Sequence, residues 1–533
     1  MKVSWWQKGV FYQVYPRSFS DSNGDGVGDL PGIEHRLDYL SDLGIDAIWL
    51  SPVFPSPNKD TGYDISDYRA IDPVFGTLED FDRLLEKAHH KGIRILMDLV
   101  VNHTSDQHPW FVESRASRES KRRDWYIWRD ARKGRPPNNW MSAFGGRAWQ
   151  WDPITRQYYL HSFCVEQPDL NWRNPEVKKA VFGEMRFWLD RGVDGFRLDV
   201  FNLYIKDAEL RSNPLALGKY PRGYDLQKHI YDGDQPEMHD LLREMRRLTD
   251  SYSERTTVGE VMTMDFGDPR KAASYLGNGT DELHMIFDFS LLLAPWNAAR
   301  LFRSMEKLYN ATPEAGWPTI VFGNHDRPRS YGRYGARQRQ QKGKLIALLL
   351  LSLRGTPFIY YGEEIGMVNG KVPRSQLQDP VALRYWPLNK GRDHFRTPMQ
   401  WSALKSAGFS TGTPWLPVAE SYVGCNVEKE SADSASLLSL YKRLLRLRRE
   451  NQCLSAGTWR PLYRGQKGLI GYERAADGRF LVILMNMSNR SRAAVFDASR
   501  YRRVLLTANG AEPRLSDGTI QLEPLQGVIL SPD

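Results

Sequence analysis

The 533-residue chain has few cysteines and no long apolar run. Its three cysteines, Cys164, Cys425 and Cys453, are too sparse for a disulfide framework and lack the spacing of a zinc site. The amino-terminal stretch MKVSWWQKGVFYQVYPRSF has no apolar core of signal-peptide length, and nowhere do about eighteen apolar residues follow one another, as a membrane helix requires. We therefore expect a cytoplasmic protein with reduced cysteines and no membrane partner.

The chain also lacks a concentrated charge of either sign. Lys and Arg (73) exceed Asp and Glu (64) by 9, but the basic residues are scattered along the sequence. A scattered excess is typical of a solvated surface, so we expect no nucleic-acid partner. Hydrophobic residues (41%) and aromatic residues (12%) are ample for a large core, and the length predicts two to four domains.

Eight short apolar segments alternate with segments of helical periodicity. They span residues 11–15, 47–50, 93–98, 194–199, 256–260, 283–287, 319–322 and 357–360. Alternating strands and helices predict parallel pairing, and eight such units predict an α/β protein with a closed (β/α)8 TIM barrel. In this fold the chemistry takes place at the carboxyl ends of the strands.

Three regions depart from this alternation. Residues 103–167 are rich in aromatic residues, and we interpret them as a lid subdomain inserted after the third strand. A smaller excursion, residues 368–401, is expected over the barrel mouth, and short alternating strands predict an antiparallel all-β domain at 456–533. The barrel itself would then consist of residues 1–102 and 168–455.

A loop directly after the first predicted strand has the pattern of a cation site. Oxygen side chains alternate with glycines in DSNGDGVGD, and such a loop curls tightly enough to direct several oxygens at a hard cation. We expect a structural Ca²⁺, or Mg²⁺, and no organic cofactor; the predicted ligands are Asp21, Asn23, Asp25, Val27 and Asp29. Position twelve of the loop is Gly32, so it is not an EF-hand, and an Asx-rich turn without metal is the alternative.

Polar residues gather at the predicted strand ends. They are Asp98, Asn102 and His103 after the third strand, Arg197 and Asp199 on the fourth, Glu260 on the fifth, and Asn324, His325 and Asp326 after the seventh. Taken alone, Arg197 and Asp199 would indicate a buried salt bridge. Four carboxylates at one barrel mouth instead favour acid–base or nucleophilic chemistry, because crowded like charges are costly. Metal binding is a rival explanation, but Arg197 would place a fixed cation where the metal should lie.

Six motifs together resemble one enzyme family. DLVVNH (98–103), GFRLDV (195–200), VGEV (258–261) and GNHD (323–326) are similar, in order, to the four regions of the α-amylase family, glycoside hydrolase family 13. QPDLNW (167–172) and GTPFIYYGEEIG (355–366) are similar to its accessory regions. The opening YQVYPRSFSDSNGDGVGDLPGI resembles the oligosaccharide-acting branch, the α-glucosidases and oligo-1,6-glucosidases, and the likeness extends over about residues 5–401.

The resemblance implies roles for the catalytic residues. Asp199 would be the nucleophile that forms a covalent β-glucosyl intermediate, and Glu260 would be the general acid and then the base. For that role the pKa of Glu260 must exceed that of Asp199. Asp326 would bind the 2- and 3-hydroxyls of the sugar. Arg197, supported by Asp98, would hold the nucleophile ionised, and the further sugar donors would be His103 and His325.

The resemblance also implies a pocket closed behind one glucose. Asp60 would receive the non-reducing 4-hydroxyl and pair with an arginine of RDHFRTPMQW, for which we favour Arg392 over Arg396. The other predicted substrate contacts are Tyr63, stacked on the ring, and Gln167, Phe144 and Phe163; core packing is an equal alternative for the two phenylalanines. We expect an exo-acting enzyme, monomeric or homodimeric, on a small oligosaccharide or α-glucoside.

The specificity signals conflict. Val200, directly after the predicted nucleophile, accompanies α-1,6 specificity in relatives, whereas HIYDGDQPEMHDLLREMR (229–246) resembles enzymes of short α-1,4 or sucrose-like glucosides. We predict a glycoside hydrolase with α-glucosidase specificity and probable transglucosylation. The alternatives are oligo-1,6-glucosidase specificity and a glucosyl transferase or isomerase, although RPRSYGRYGARQ (327–338) does not clearly match the arginine-rich isomerase loop. A non-catalytic transporter subunit would carry a membrane span and lack these carboxylates.

Overall fold

Eight parallel strands form the centre of the molecule. The computed structural model describes residues 3–216, 223–262, 268–497, 500–516 and 518–532. In chain order we number the barrel strands one to eight: Phe11–Val14, Ala47–Leu50, Arg94–Leu99, Gly195–Leu198, Thr256–Glu260, Met285–Phe287, Thr319–Val321 and Thr356–Tyr360. Each of strands one to six is hydrogen-bonded to the next in chain order. Strand eight pairs with strand one, and strand seven pairs with strand eight. Thr319 Oγ1 donates to the Ile286 carbonyl at 2.8 Å and so joins strand seven to strand six. The predicted (β/α)8 barrel is confirmed.

Helices surround the barrel, and several begin with a capping side chain or a first-turn proline. Asn174, for example, accepts a hydrogen bond from the Glu176 amide, and Pro175 opens the helix that leads to strand four. Helices of six or more residues within the described ranges are Leu30–His35, Leu37–Leu43, Leu78–His90, Pro109–Ala116, Pro175–Asp190, Glu237–Asp250, Pro269–Ser274, Ala298–Ala311, Arg339–Ser352, Pro380–Tyr385, Val427–Ala432 and Leu437–Glu450. None of the described helices is long and apolar enough to cross a membrane.

Large side chains fill the barrel. Phe11, Trp49, Val258, Phe287 and Phe358 belong to one buried cluster inside the strands. The barrel is therefore a packed core, and polar side chains collect where the strands end.

The region after strand three folds as a small subdomain of its own. Helix Pro109–Ala116 packs beside an antiparallel sheet of strands Trp128–Arg129, Gln157–Leu160 and Trp149–Asp152. Its tryptophans Trp128, Trp140 and Trp149 are buried, and Trp140 stacks on Trp149. These rings form the core of the lid.

The carboxyl-terminal region is antiparallel. One sheet has the strand order Thr458–Arg464, Leu469–Ala476, Arg479–Asn486, Gly527–Ser531 and Arg503–Thr507, and the other has the order Arg492–Val495, Thr519–Leu522 and Leu515–Ser516. A buried arginine joins this domain to the barrel helices: Arg474 donates to the carbonyl of Ser352, at the end of helix Arg339–Ser352. The predicted all-β carboxyl-terminal domain is confirmed.

Candidate active site

Arg197 is the cation around which the carboxylates gather. Its side chain is fully buried, and Nη1 donates to Asp98 Oδ1 at 2.7 Å and to Asp199 Oδ1 at 2.6 Å. Its Nη2 contacts the carboxylate of Glu260. Adjacent parallel strands explain this meeting, because Asp98 pairs with Arg197 in register and Glu260 ends the next strand. One guanidinium thus holds the predicted nucleophile and the predicted general acid.

The carboxylates of this cluster differ in their ionisation. Burial raises the pKa of Asp199 to about 6, with Arg197 lowering it and Asp98 raising it further. Burial also acts to raise the pKa of Asp326, but the charges of Arg392 and Arg396 hold it well below its usual range. Asp326 is therefore ionised over the whole working pH range, whereas Asp199 loses its charge in weak acid.

Arg392 closes one end of the cluster. Its Nη2 donates to Asp60 Oδ1 at 2.6 Å and to Asp379 Oδ1 at 2.7 Å, and its Nη1 reaches Asp326 Oδ1 at 3.2 Å. Arg396, by contrast, binds Asp326 at 2.8 Å and the Thr61 hydroxyl at 2.9 Å. Of the two arginines considered from the sequence, the structure places Arg392 on Asp60.

His325 lies beneath Asp326 in a polar network. Gln13 Nε2 is 2.7 Å from His325 Nδ1, and the Tyr63 hydroxyl is 2.6 Å from His325 Nε2. Tyr63 also donates to Asp98 Oδ2 at 3.2 Å. Tyr63 therefore connects the predicted sugar-binding histidine with the carboxylate that holds Arg197.

His103 and Gln167 connect the lid to the same cluster. Gln167 Nε2 lies 3.0 Å from His103 Nε2 and 3.3 Å from Asp60 Oδ2. Burial lowers the pKa of His103 and of His325, so both imidazoles are neutral. A neutral imidazole both donates and accepts a hydrogen bond, which suits hydroxyl groups.

The comparisons with known proteins agree with this geometry. The α-amylase catalytic-domain family model matches residues 13–457. The chain belongs to the α-amylase family of glycoside hydrolases. It is 44% identical to a probable α-glucosidase of Rhizobium meliloti, over 97% of this chain and 95% of that protein. It is 41% identical to an oligo-1,6-glucosidase of Parageobacillus thermoglucosidasius, over 92% of each.

Solved structures of transferring enzymes are similar to this family member as well. A crystal structure of the α-glucosyl transfer enzyme XgtA matches with a TM-score of 0.94 and 42% identity, over 99% of this chain and 100% of that one. A mutant isomaltulose synthase of Erwinia rhapontici NX5 in complex with sucrose matches with a TM-score of 0.91 and 35% identity, over 100% and 99%. The family fold therefore serves both hydrolysis and glucosyl transfer.

An apolar wall faces the lid in this α-amylase family member. Phe163 and Val200 lie in one buried cluster, against which Phe144 packs. The Arg392 guanidinium lies 4.9 Å from the Phe144 ring centroid, so Phe144 adjoins the closed end. Val200 has a φ of +35°, in the left-handed region that β-branched residues rarely adopt. The chain is thus strained directly after Asp199, where the strand ends.

The predicted cation loop is folded around its own backbone. Asp21 accepts hydrogen bonds from the amides of Asn23, Gly24 and Gly26, and Asp25 accepts from the Val27 amide. Asp29 caps helix Leu30–His35 through the Gly32 amide. In the described ranges no group of three or more His, Cys, Asp and Glu side chains is arranged to hold a metal ion. A Ca²⁺ site also takes amide and backbone carbonyl oxygens, and two of the five predicted ligands, Asn23 and Val27, would supply oxygens of these kinds.

Sequence reasoning missed three buried residues of the site. Asp379 binds Arg392, Gln13 contacts His325, and Lys206 lies 2.9 Å from Asp169 Oδ2. Asp379 precedes a proline, so in sequence it resembles an ordinary helix cap. Gln13 does interrupt the apolar strand FYQV, and a buried amide requires partners. That interruption was the one usable signal.

Proposed function

We propose that this glycoside hydrolase is a retaining, exo-acting α-glucosidase that releases α-glucose from the non-reducing end of short α-glucosides. The observation that carries the proposal is the pair Asp199 and Glu260 on a single guanidinium. Retaining enzymes keep their two carboxyl groups about 5–5.5 Å apart, closer than inverting enzymes do. Two carboxylates that share one arginine favour the shorter separation.

The reaction follows from the position of these groups. Asp199 attacks the anomeric carbon while Glu260 protonates the glycosidic oxygen, so the C–O bond breaks and the leaving sugar departs. Glu260 then removes a proton from water, which attacks the same carbon and releases Asp199. Asp326, held ionised by Arg392 and Arg396, binds the ring hydroxyls as positive charge develops on the sugar.

The closed end supports exo action. Asp60 is buried, and Arg392 binds it together with Asp379. A glucose with a free 4-hydroxyl has hydrogen-bond partners at this end, whereas a longer chain would collide with a buried ion network. Tyr63 would stack on the sugar ring, and His103 and Gln167 would bind the remaining hydroxyls, whereas both ring nitrogens of His325 are already engaged by Gln13 and Tyr63.

Linkage preference and transfer are finer parts of the proposal. Val200 in the apolar wall and the likeness to an oligo-1,6-glucosidase favour α-1,6 bonds, whereas the stretch 229–246 favours short α-1,4 or sucrose-like glucosides and the likeness to a probable α-glucosidase favours α-glucosidase specificity. We place α-glucosidase specificity first and oligo-1,6-glucosidase specificity second. The likeness to an α-glucosyl transfer enzyme and to a sucrose-bound isomaltulose synthase supports transglucosylation, and a sucrose isomerase is the second candidate function.

The test is glucose release from maltose, isomaltose, sucrose, trehalose and soluble starch in parallel, with products separated at high substrate concentration. We expect disaccharides to be cleaved and starch to be nearly untouched. Asp199→Asn and Glu260→Gln are the controls, and each should reduce the rate by several orders of magnitude. Internal cleavage of starch contradicts the closed pocket, and isomaltulose or trehalulose as the main product of sucrose identifies an isomerase.

We further propose that Asp21, Asn23, Asp25, Val27 and Asp29 hold a structural Ca²⁺ or Mg²⁺. The alternating oxygen groups and the tight backbone curl support this, and such an ion would fasten the loop after strand one without taking part in catalysis. No organic cofactor is needed for the proposed reaction. Cytoplasmic location and a monomeric or homodimeric state stay predictions.

A further inference from the structure

Gln13 lies beneath the active site on barrel strand one. It is 1% exposed, and its Nε2 lies 2.7 Å from His325 Nδ1 and 3.2 Å from Ser51 Oγ. Its Oε1 has no hydrogen-bond partner in the described part of the chain. A buried amide with this one-sided set of contacts can fix the protonation of the ring beside it.

The side-chain amide of Gln13 has two orientations, and they differ in which of its polar groups has no hydrogen-bond partner. In the orientation described, both N–H groups face acceptors, and one carbonyl oxygen is left over. In the reverse orientation the oxygen would face His325 and Ser51, and two N–H groups would be left over. Buried N–H groups without partners are rarer than carbonyl oxygens without partners. Gln13 therefore donates to His325 Nδ1.

This contact decides where the imidazole proton lies. An Nδ1 that accepts a hydrogen bond carries no proton, and burial lowers the pKa of His325 well below its usual value, so the ring is neutral with its proton on Nε2. Tyr63 Oη lies 2.6 Å from that nitrogen, and the planes of the two rings are parallel, with 2° between them. Nε2–H consequently donates to Tyr63.

The hydrogen bonds continue from Tyr63 to Asp98 with the same donor-to-acceptor direction. The Tyr63 hydroxyl, having accepted from His325, donates its own proton to Asp98 Oδ2 at 3.2 Å. Trp49 Nε1 donates to the same oxygen at 3.1 Å. If His325 carried its proton on Nδ1 instead, the bare Nε2 would accept from Tyr63 and would face Asp326 Oδ2 at 3.3 Å without a proton between them. Asp98 would then lose a donor.

We propose that Gln13 is a positioning residue for catalysis: it sets the Nε2–H tautomer of His325 and thereby the direction of the hydrogen bonds from His325 through Tyr63 to Asp98. Asp98 is the carboxylate that holds Arg197 against Asp199. The tautomer itself follows from the contacts alone, whereas its catalytic meaning rests on the proposed function.

The first test is the protonation of His325 in the intact protein. Nitrogen-15 NMR of histidine-labelled protein, with His325 assigned from the signals missing in His325→Asn, should show a protonated Nε2 and a bare Nδ1. Gln13→Glu, which only accepts, should reverse the two nitrogens. Ser51→Ala, which removes the other amide partner, should keep the wild-type pattern. A protonated Nδ1 in the wild type overturns the proposal, as does an unchanged tautomer in Gln13→Glu.

The second test separates positioning from a general structural role. In Gln13→Glu, kcat on the best disaccharide should fall at least about tenfold, the effect of losing a well-placed donor, while KM stays within about threefold. Gln13→Met, which lacks the donor and the charge, should fall in the same direction. Adding Tyr63→Phe to Gln13→Glu should cost less than Tyr63→Phe alone, because the two changes act on one chain of hydrogen bonds.

The outcomes for the inference and for the proposed function are distinguishable. A wild-type protein that cleaves no α-glucoside refutes the function, and the NMR result still decides the tautomer. A reversed tautomer with unchanged kcat refutes the positioning role, even if the enzyme is an α-glucosidase.

Discussion

Asp98 should control the pH at which Asp199 becomes active. Both carboxylates bind the same nitrogen of Arg197, at 2.7 Å and 2.6 Å, so their facing oxygens are no more than about 5 Å apart. Two unit charges at about 5 Å interact by about 3 kcal/mol at an effective dielectric constant of about 20. This energy corresponds to about two units of pKa. Asp98 is therefore a large part of what keeps Asp199 protonated in weak acid.

The sign of the effect follows from the charge of each form. Burial raises the pKa of Asp199 to about 6, so in the free enzyme the nucleophile is protonated, and kcat/KM falls, below about that pH. Asp98→Asn removes a neighbouring negative charge and keeps the shape of the side chain. The pKa of Asp199 should drop, and the acid limb of the kcat/KM profile should move about one to two units lower.

The assay is kcat/KM for 4-nitrophenyl α-glucoside from about pH 4 to about pH 9, at constant ionic strength. The maximal rate of Asp98→Asn will also fall, since Arg197 loses one carboxylate, but the position of the limb is independent of that loss. Glu364→Gln is the matched control, because Glu364 is an equally buried carboxylate that binds Tyr12 and Tyr39 instead. An acid limb that stays at its wild-type pH, or moves higher, refutes the reasoning.

Three further predictions concern the closed end, the apolar wall and the cation loop. Arg392→Met leaves buried carboxylates without their cation and should cost about 3–5 kcal/mol of stability, seen as a lower melting temperature; the exposed Arg384→Met should change it little, and equal melting of the two variants would contradict the ion network. Val200→Thr should lower the ratio of kcat/KM for isomaltose to that for maltose by a factor that corresponds to about 1–3 kcal/mol. An unchanged ratio shows that the apolar wall does not determine the preferred linkage. Chelation with EDTA should lower the melting temperature of the wild type and have no effect on Asp21→Asn, whereas a wild type that melts at the same temperature in chelator counts against a bound ion.

The residues at the strand ends could be predicted from sequence because the barrel brings them together by rule. Asp98, Arg197 and Glu260 lie at or one residue before the ends of neighbouring parallel strands, and their register alone makes them meet. Strand four ends at Leu198, however, one residue earlier than the pattern indicates. The left-handed conformation of Val200 ends the extended chain, and local propensity cannot anticipate such strain in a β-branched residue.

The partners of these residues were less predictable. Asp379 and Gln13 act on segments that are distant in sequence. Nothing near Asp379 distinguishes it from a helix cap, and the polar break that Gln13 makes in an apolar strand does not indicate which residue it contacts. The aromatic composition of residues 103–167 does not by itself tell core rings from rings at the site. Trp140 and Trp149 pack in a buried cluster within this region, since so small a unit needs large side chains to be stable.

The end of the pocket is built from chain segments that the barrel strands do not control. Asp60 comes from the loop after strand two, whereas Asp379 and Arg392 come from the excursion after strand eight. Asp199 and Glu260, by contrast, are held by the strands themselves. The length of substrate that fits and the chemistry performed on it are thus carried by separate parts of the molecule. We expect that a change confined to the excursion can open this end into a cleft for long glucans and leave Asp199 and Glu260 in place. The same barrel can then accept a new range of substrates without a new mechanism.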